Sequence, residues 1–349
     1  MARPSGVRLV KRRYPSARGV PALLLGAFGM AACADPPPVS ETVQFTVPAG
    51  SSLAQVTDTL VAHDLVAFPR LFQLFARARG DDRGIQAGVY EVPIEAGWQD
   101  LLDQLVAGRM VTVPLTLPEG FTLRQIAARL ADFTGEEPES VERVLFAEAA
   151  EARWNVPGPG LEGYLFPDTY HFAPGVDLET IIETLVERYQ SVWTPTWRAR
   201  ADSLGLSLSE VTALASIVEA EALRDSEMPI ISGVFHNRLR IGIPLQADPT
   251  VQYALGERRA RLLYADIDSV ADHPYNTYAR TGLPPGPIGS PGEGAIEAAL
   301  HPAEVPFLYF VARPDGTHIF TSTLAEHNQA RVEARREWDE LERRTQDAN

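Results

Sequence analysis

The residues whose spacing carries the most chemistry are two glutamates, Glu219 and Glu221, in 208-LSEVTALASIVEAEALRD-225. They close a run of small and branched apolar residues that reads as a buried helix. At ~100° per residue, Val211, Leu214, Ala215, Val218 and Ala222 form one apolar stripe. Glu221 then lies roughly 60° from its centre and Glu219 roughly 100° away on the other side, so the side chains diverge by ~200°. They are therefore not the facing pair of a retaining glycosidase, whose carboxyls sit about 5–5.5 Å apart across a sugar. Sugar chemistry on this helix would rest on one acid. Glu221, nearer the apolar face, suits a general acid, because desolvation raises a carboxyl pKa and keeps the group protonated. Glu219 is better suited to orient, or to pair with an arginine or an amide. A helix-edge carboxylate in a salt bridge is the structural alternative.

Other chemistries find less support. The formal charge of −15 argues against nucleic acid as a partner. Lys11 is the one lysine, so no Schiff-base or phosphate-loop lysine is expected in the folded part. HExxH, GxSxG and a strand-borne GxGxxG are all absent, and the seven histidines are scattered without zinc spacing. Neither a metal nor an organic cofactor is expected.

The elements that must position the glutamates follow from patterning. The 349 residues suffice for one or two domains. A basic start is followed by VPALLLGAFGMAA, an apolar run shorter than the ~20 residues of a comfortable membrane span. It ends in 30-MAAC-33, and Cys33 is the only cysteine, which makes a disulfide framework impossible. The pattern resembles a bacterial lipoprotein signal with Cys33 lipidated; a short single-pass anchor or a cleaved export signal are the alternatives. All three place the folded chain outside the cytoplasm. DPPPVSET then reads as a stiff tether.

A weak repeat follows. VQFTVPAGSSLAQVTDTL and VTVPLTLPEGFTLRQIAARL each read as strand, Gly turn and helix, with YEVPIEAGWQDLLDQLVAG a looser copy shifted in register. Residues 121–207 read as mainly helical, interrupted by a packed loop at 155–175. In 306-PFLYFVARPDGTHIFTST-323, PFLYFVA and THIFTS read as hairpin strands around the turn RPDG. Residues 325–345 read as a charged, exposed helix.

The segments LASIVEAEA, ISGVFHNRLRIGIPLQADPTVQYALG, YNTYARTGLPPGPIGSPG and AALHPAEVPFLYFVA, with LEGYLFPDTYHF upstream, resemble the endolytic murein transglycosylase (YceG-like) family in order and wording from about residue 42 to 340. The resemblance implies an α+β fold: an N-terminal membrane anchor, a small LysM-like strand–helix module, and a larger mixed catalytic domain. The expected boundaries are 1–34 for the anchor, 35–42 for the tether, 43–112 for the module and 113–345 for the catalytic domain. Relatives usually carry a single-pass helix, so the short run ending in Cys33 departs from the family's pattern. The implied activity cuts the β-1,4 bond between N-acetylmuramic acid and N-acetylglucosamine within nascent peptidoglycan, leaving 1,6-anhydro ends, at the periplasmic face of the inner membrane. Peptidoglycan synthases become candidate partners.

In the family's E-x-E motif the second glutamate is catalytic, which falls on Glu221, with Glu219 in support. Asn237 and Gln246 offer amides suited to sugar hydroxyls or acetamido groups. Arg238 could pair with Glu219 or with a stem-peptide carboxylate. Asp248 is either a substrate ligand or a turn former before Pro249. Tyr275, Asn276 and Tyr278 could line a glycan cleft, while Glu162 and Asp168 read as structural. A hydrolytic muramidase and a silent peptidoglycan-binding scaffold are the runner-up functions.

Overall fold

The computed structural model describes residues 41–259 and 262–347; the expected anchor, Cys33 and nearly all of the tether lie outside them. Three apolar clusters follow one another along the chain. The first gathers β1 (Thr42–Val47), α1 (Leu53–Ala62), α2 (Pro69–Arg79), β2 (Gly88–Pro93) and α3 (Trp98–Val106). β1 and β2 pair antiparallel from Thr42↔Pro93 to Val47↔Gly88. Their alternation turns Phe45, Val47, Tyr90 and Val92 inward, onto Leu60, Phe72, Leu101 and Leu105.

The second cluster repeats the plan. It contains β3 (Val113–Thr116), α4 (Leu123–Thr134), α5 (Pro138–Leu145), α6 (Ala150–Arg153), β4 (Thr169–Phe172) and α7 (Leu178–Val192). β3 pairs antiparallel with β4, from Val113↔Phe172 to Thr116↔Thr169. The repeat read in the sequence is thus real, but its unit is larger than a strand and a helix. In each unit two paired strands bracket two or three helices, and one more helix follows. Capping boxes start both leading helices, Ser52 with Gln55 and Thr122 with Gln125. The stretch read as a packed loop ends in the start of the final copy, β4 and a turn at Gly175, which α7, capped by Asp177, completes. The looser copy is out of register because Gly97 is itself the helix N-cap, with φ −67°, instead of a left-handed turn residue.

The third cluster is built around α9 (Leu208–Glu221). It is joined by α8 (Pro195–Leu204), α10 (Met228–Arg240), α11 (Asp248–Leu255), α13 (Glu293–Leu300) and the β5 (Tyr309–Ala312) and β6 (His318–Thr321) hairpin, while α12 (Tyr264–Ser269) packs on α11 and α14 (Leu324–Asp347) on the hairpin. Every residue of α9 from Val211 to Val218 is buried, so the single apolar stripe expected there is instead a helix enclosed on all sides. Its small residues permit this. Thr212 and Ser216 return their hydroxyls to their own helix at 2.8 Å, onto the carbonyls of Leu208 and Ala213. The hairpin turns at Arg313–Gly316 as the sequence suggests, with shorter strands, and α14 lies on it through Ala330 and Ala334. With three two-stranded antiparallel sheets among helices, the described residues are mixed α+β. Among them no single helix is long and apolar enough to cross a membrane.

Candidate active site at the end of the buried helix

Glu219 and Glu221 lie in the last turn of α9, where the helix dipole disfavours negative charge. Each carboxylate meets the N-terminus of a different helix. Glu219 Oε2 accepts a hydrogen bond from the Gly292 N–H, at the N-cap of α13, at 3.1 Å. Glu221 meets the backbone N–H of Asp248, first residue of α11. The divergence inferred from helix geometry is therefore present, although the amphipathic stripe behind it is not.

The two sites differ in proton affinity. Burial, reinforced by the charge of Asp248 and only partly offset by that backbone N–H, pushes Glu221 up to about 8. A carboxyl there is mostly protonated at neutral pH and can donate. Glu219 rises only to about 6: burial is again the largest cause, opposed by the Gly292 N–H and supported by Glu119 and Asp225.

Around Glu221 the structure gathers Asp248 and Tyr278. The Tyr278 hydroxyl donates to Asp248 Oδ1, and its phenol is held well above the usual range by burial first, then by Asp248 and Glu221. This arrangement is laced in place from behind. Asn276, fully buried, donates to the Ile267 and Val270 carbonyls at 2.9 and 3.0 Å and accepts from the Tyr278 N–H at 3.0 Å. Thr277 Oγ1 accepts from the Ala247 N–H at 3.0 Å and meets the Thr250 hydroxyl at 2.8 Å. Gln246, in the left-handed region at φ 52°, donates its N–H to the Thr277 carbonyl at 3.0 Å. A non-glycine residue there is strained and is held by its surroundings.

Several residues expected to meet substrate are already engaged. Arg238 does not pair with Glu219. It is buried, and its guanidinium donates to the carbonyls of Pro244 and Leu308 and to Gln246 Oε1, at 2.9, 2.8 and 2.6 Å. Asn237 spends its amide on the Val305 and Phe307 carbonyls at 2.7 and 2.9 Å, tying the approach to the hairpin onto α10. Tyr275 packs on Tyr253, ring centroids 4.8 Å apart. Exposed Gln246 and Asp248, with half-buried Tyr278, remain on the accessible side of the site.

Around Glu219 lies a hollow of about 480 Å³, lined also by Glu119, Asp225, Glu297 and His301. Its rim joins the second repeat unit to the third cluster: the Gly120 N–H donates to the Ser290 carbonyl and the Ser290 N–H to the Phe121 carbonyl, both at 2.8 Å. A Cβ on Gly289 would lie 2.9 Å from the Gly120 carbonyl oxygen, which explains a glycine in GPIGSPG. Glu162, read as structural, is buried and pushed up to about 7, chiefly by desolvation; it accepts from the Leu123 N–H at 2.8 Å and the Tyr253 hydroxyl at 3.1 Å. Asp168 pairs with Arg188 at 3.0 Å. Sequence reasoning did not single out Thr250, Thr277, Gly292 or Glu119. Thr277, inside YNTY, was the most findable of them. Among the described residues no group of three or more His, Cys, Asp or Glu side chains is placed to hold a metal ion.

Comparison with known proteins gives the family. The model of the YceG-like family matches residues 45–333. An endolytic murein transglycosylase of Bacillus subtilis (strain 168) is 36% identical over 83% of this chain and 84% of its own length. One of Streptococcus pneumoniae (serotype 2, strain D39) is 30% identical over 81% of this chain, which spans 56% of that longer relative. The crystal structure of a yceG-like protein from Listeria monocytogenes superposes with a TM-score of 0.57 at 32% identity, covering 83% of this chain and 99% of that one. The chain belongs to the YceG-like family.

Proposed function

We propose that this protein is an endolytic peptidoglycan lytic transglycosylase with Glu221 as its single acid–base. The observation that carries the reading is the contrast at the end of α9: Glu221, beside Asp248 and Tyr278, holds its proton to about pH 8. The Bacillus subtilis relative, an endolytic murein transglycosylase, supports the same reaction.

Glu221 donates its proton to the glycosidic oxygen between N-acetylmuramic acid and N-acetylglucosamine as the bond from the anomeric carbon to that oxygen breaks. The C6 hydroxyl of the muramyl sugar closes on the anomeric carbon and returns its proton to the Glu221 carboxylate. The product is a 1,6-anhydro end, no water is consumed, and the acid is regenerated. One carboxyl suffices, in keeping with a Glu219 that faces elsewhere. Tyr278 and Asp248 hold the donor's surroundings, and Gln246 offers its remaining amide donors to sugar substituents. Arg238, Asn237 and Asn276 act behind them as positioning residues. Tyr275 contributes part of the wall.

Both strand–helix units lie upstream of this site. We assign the first, residues 43–112, as a LysM-like glycan-binding module, followed by a catalytic domain over 113–345. An anchor in residues 1–34, by lipid at Cys33 or by a short helix, would set the enzyme on the periplasmic face of the inner membrane, where strand release and length control take place and synthases could act beside it.

The test is to incubate residues 42–349 and their Glu221→Gln form with uncrosslinked peptidoglycan and weigh the products. Anhydromuramyl ends with wild type alone support the proposal. Ends one water heavier would make the enzyme a muramidase, and bound but uncut strands would make it a scaffold.

A further inference from the structure

α2 shows an apolar stripe that no other described residue covers. Phe68, Leu71 and Leu74 are 64%, 56% and 63% exposed, while Phe72 and Ala76 are buried in the first cluster. Leu71 and Leu74, three apart, are neighbours on the helix surface, and Phe68 is the N-cap residue just before its first turn. Val61, at the end of α1, is exposed as well. The helix PRLFQLFARAR contains no acid. Arg70 and Arg77 are exposed and lie about 40–60° from Leu74, along one edge of the strip. Arg79 is engaged elsewhere, with Asp81 and Asp103.

An apolar strip of Phe and Leu on a helix whose charged residues are all arginines is unusual on a chain of net charge −15. Its charge is complementary to an anionic lipid surface: apolar side chains enter the acyl boundary and arginines reach the headgroups. α2 also belongs to the first folded unit after residues 1–40. With lipid on Cys33, the tether would extend at most about 30 Å. We propose that α2 is an interfacial helix that seats the first unit on an anionic bilayer. This goes beyond glycan cleavage, and rests only on the envelope location given above.

The test is co-sedimentation of residues 42–349, which form a compact unit, with vesicles of mixed phosphatidylglycerol and phosphatidylcholine or of phosphatidylcholine alone. Wild type should favour the anionic vesicles by about tenfold or more, and L71E/L74E should lose that partition by a similar factor. Both leucines are exposed, so the fold should survive; R70A/R77A, which leaves the apolar strip intact, should lose the anionic preference even where the glutamate variant misfolds. Glu221→Gln should partition like wild type, which separates this result from any failure of the cleavage reading. Equal partition of wild type and R70A/R77A would overturn the proposal, as would no partition by wild type. Self-association of wild type that L71E/L74E abolishes would assign the strip to contact between copies instead.

Discussion

The two ends of the E-x-E motif are two residues apart in the chain and occupy different environments. Glu221 sits against α11 with Asp248 and Tyr278, on a site whose outer side is open. Glu219 sits against α13, in an acidic hollow closed by the 118–120 turn of the second repeat unit. Both are at the unfavourable end of one helix, and each finds a backbone N–H. Both also have negative neighbours, so the difference is burial: its deeper burial makes Glu221 a proton store at neutral pH, whereas Glu219 is held as a fastening. Two identical side chains on one helical turn thus take a chemical and an architectural role.

The largest expected effect separates them directly. Glu221→Gln should lower kcat by about 10²–10⁴-fold, the usual worth of one positioned acid–base, with Tm unchanged. Glu219→Gln should retain most of its activity. Equal losses in both, measured as anhydro ends per minute, would remove the distinction.

Next comes the clamp on the Glu219 side. In Gly289→Ala the new Cβ would press on the Gly120 carbonyl, backbone against which nothing flexible can yield. Overpacking of this kind costs about 1–3 kcal/mol. Thermal melts should show it, and the hydrogen bonds between Ser290 and residues 120–121 should exchange faster with deuterium. A silent Gly289→Ala would mean the second unit is not locked to the third cluster there.

How much of this was legible in sequence follows from the physics of each part. The divergence of Glu219 and Glu221 is local helix geometry, and 3.6 residues per turn predicts it. The RPDG turn is local too. The burial of α9 on every side was not legible, because Ala, Ser and Thr look semi-polar in a pattern but permit close packing. β4 was missed because four residues within an aromatic, proline-rich stretch show no strand period until β3 pairs with them. Arg238 and Asn237 read as ligands because side-chain type reveals capacity for hydrogen bonds. Both of Asn237's partners and one of Arg238's are backbone carbonyls about 70 residues away, which no pattern displays.

A smaller effect sharpens the Glu221 side. Its pKa is raised by burial first and Asp248 second. A general acid must be protonated, so wild-type kcat should fall as pH rises through about 8. Asp248→Asn removes the negative neighbour and keeps the backbone N–H, so the alkaline limb should move to lower pH. The move should be partial, since burial is untouched. A limb that stays in place would show that Asp248 does not act through Glu221.

The smallest effect concerns stability on the Glu219 side, and its sign is diagnostic. Glu219 is raised from 4.5 to about 6 in the fold. Its contribution is fully present below the unfolded value and is lost as pH rises towards the folded one, because the unfolded chain releases that proton first. Glu219→Gln keeps an oxygen for the Gly292 N–H and cannot ionise. Relative to wild type it should gain Tm as pH rises through 4.5 to 6 and hold that gain above. Glu219→Ala also cannot ionise, but it leaves the α13 N-cap without its acceptor, a loss of about 1 kcal/mol that should persist at low pH. Melts of the three forms at pH 4 and pH 7.5 separate the two contributions. If Gln and Ala behave alike at both pH values, the hydrogen bond to Gly292 adds nothing, and only the ionisation of Glu219 distinguishes that side of the helix.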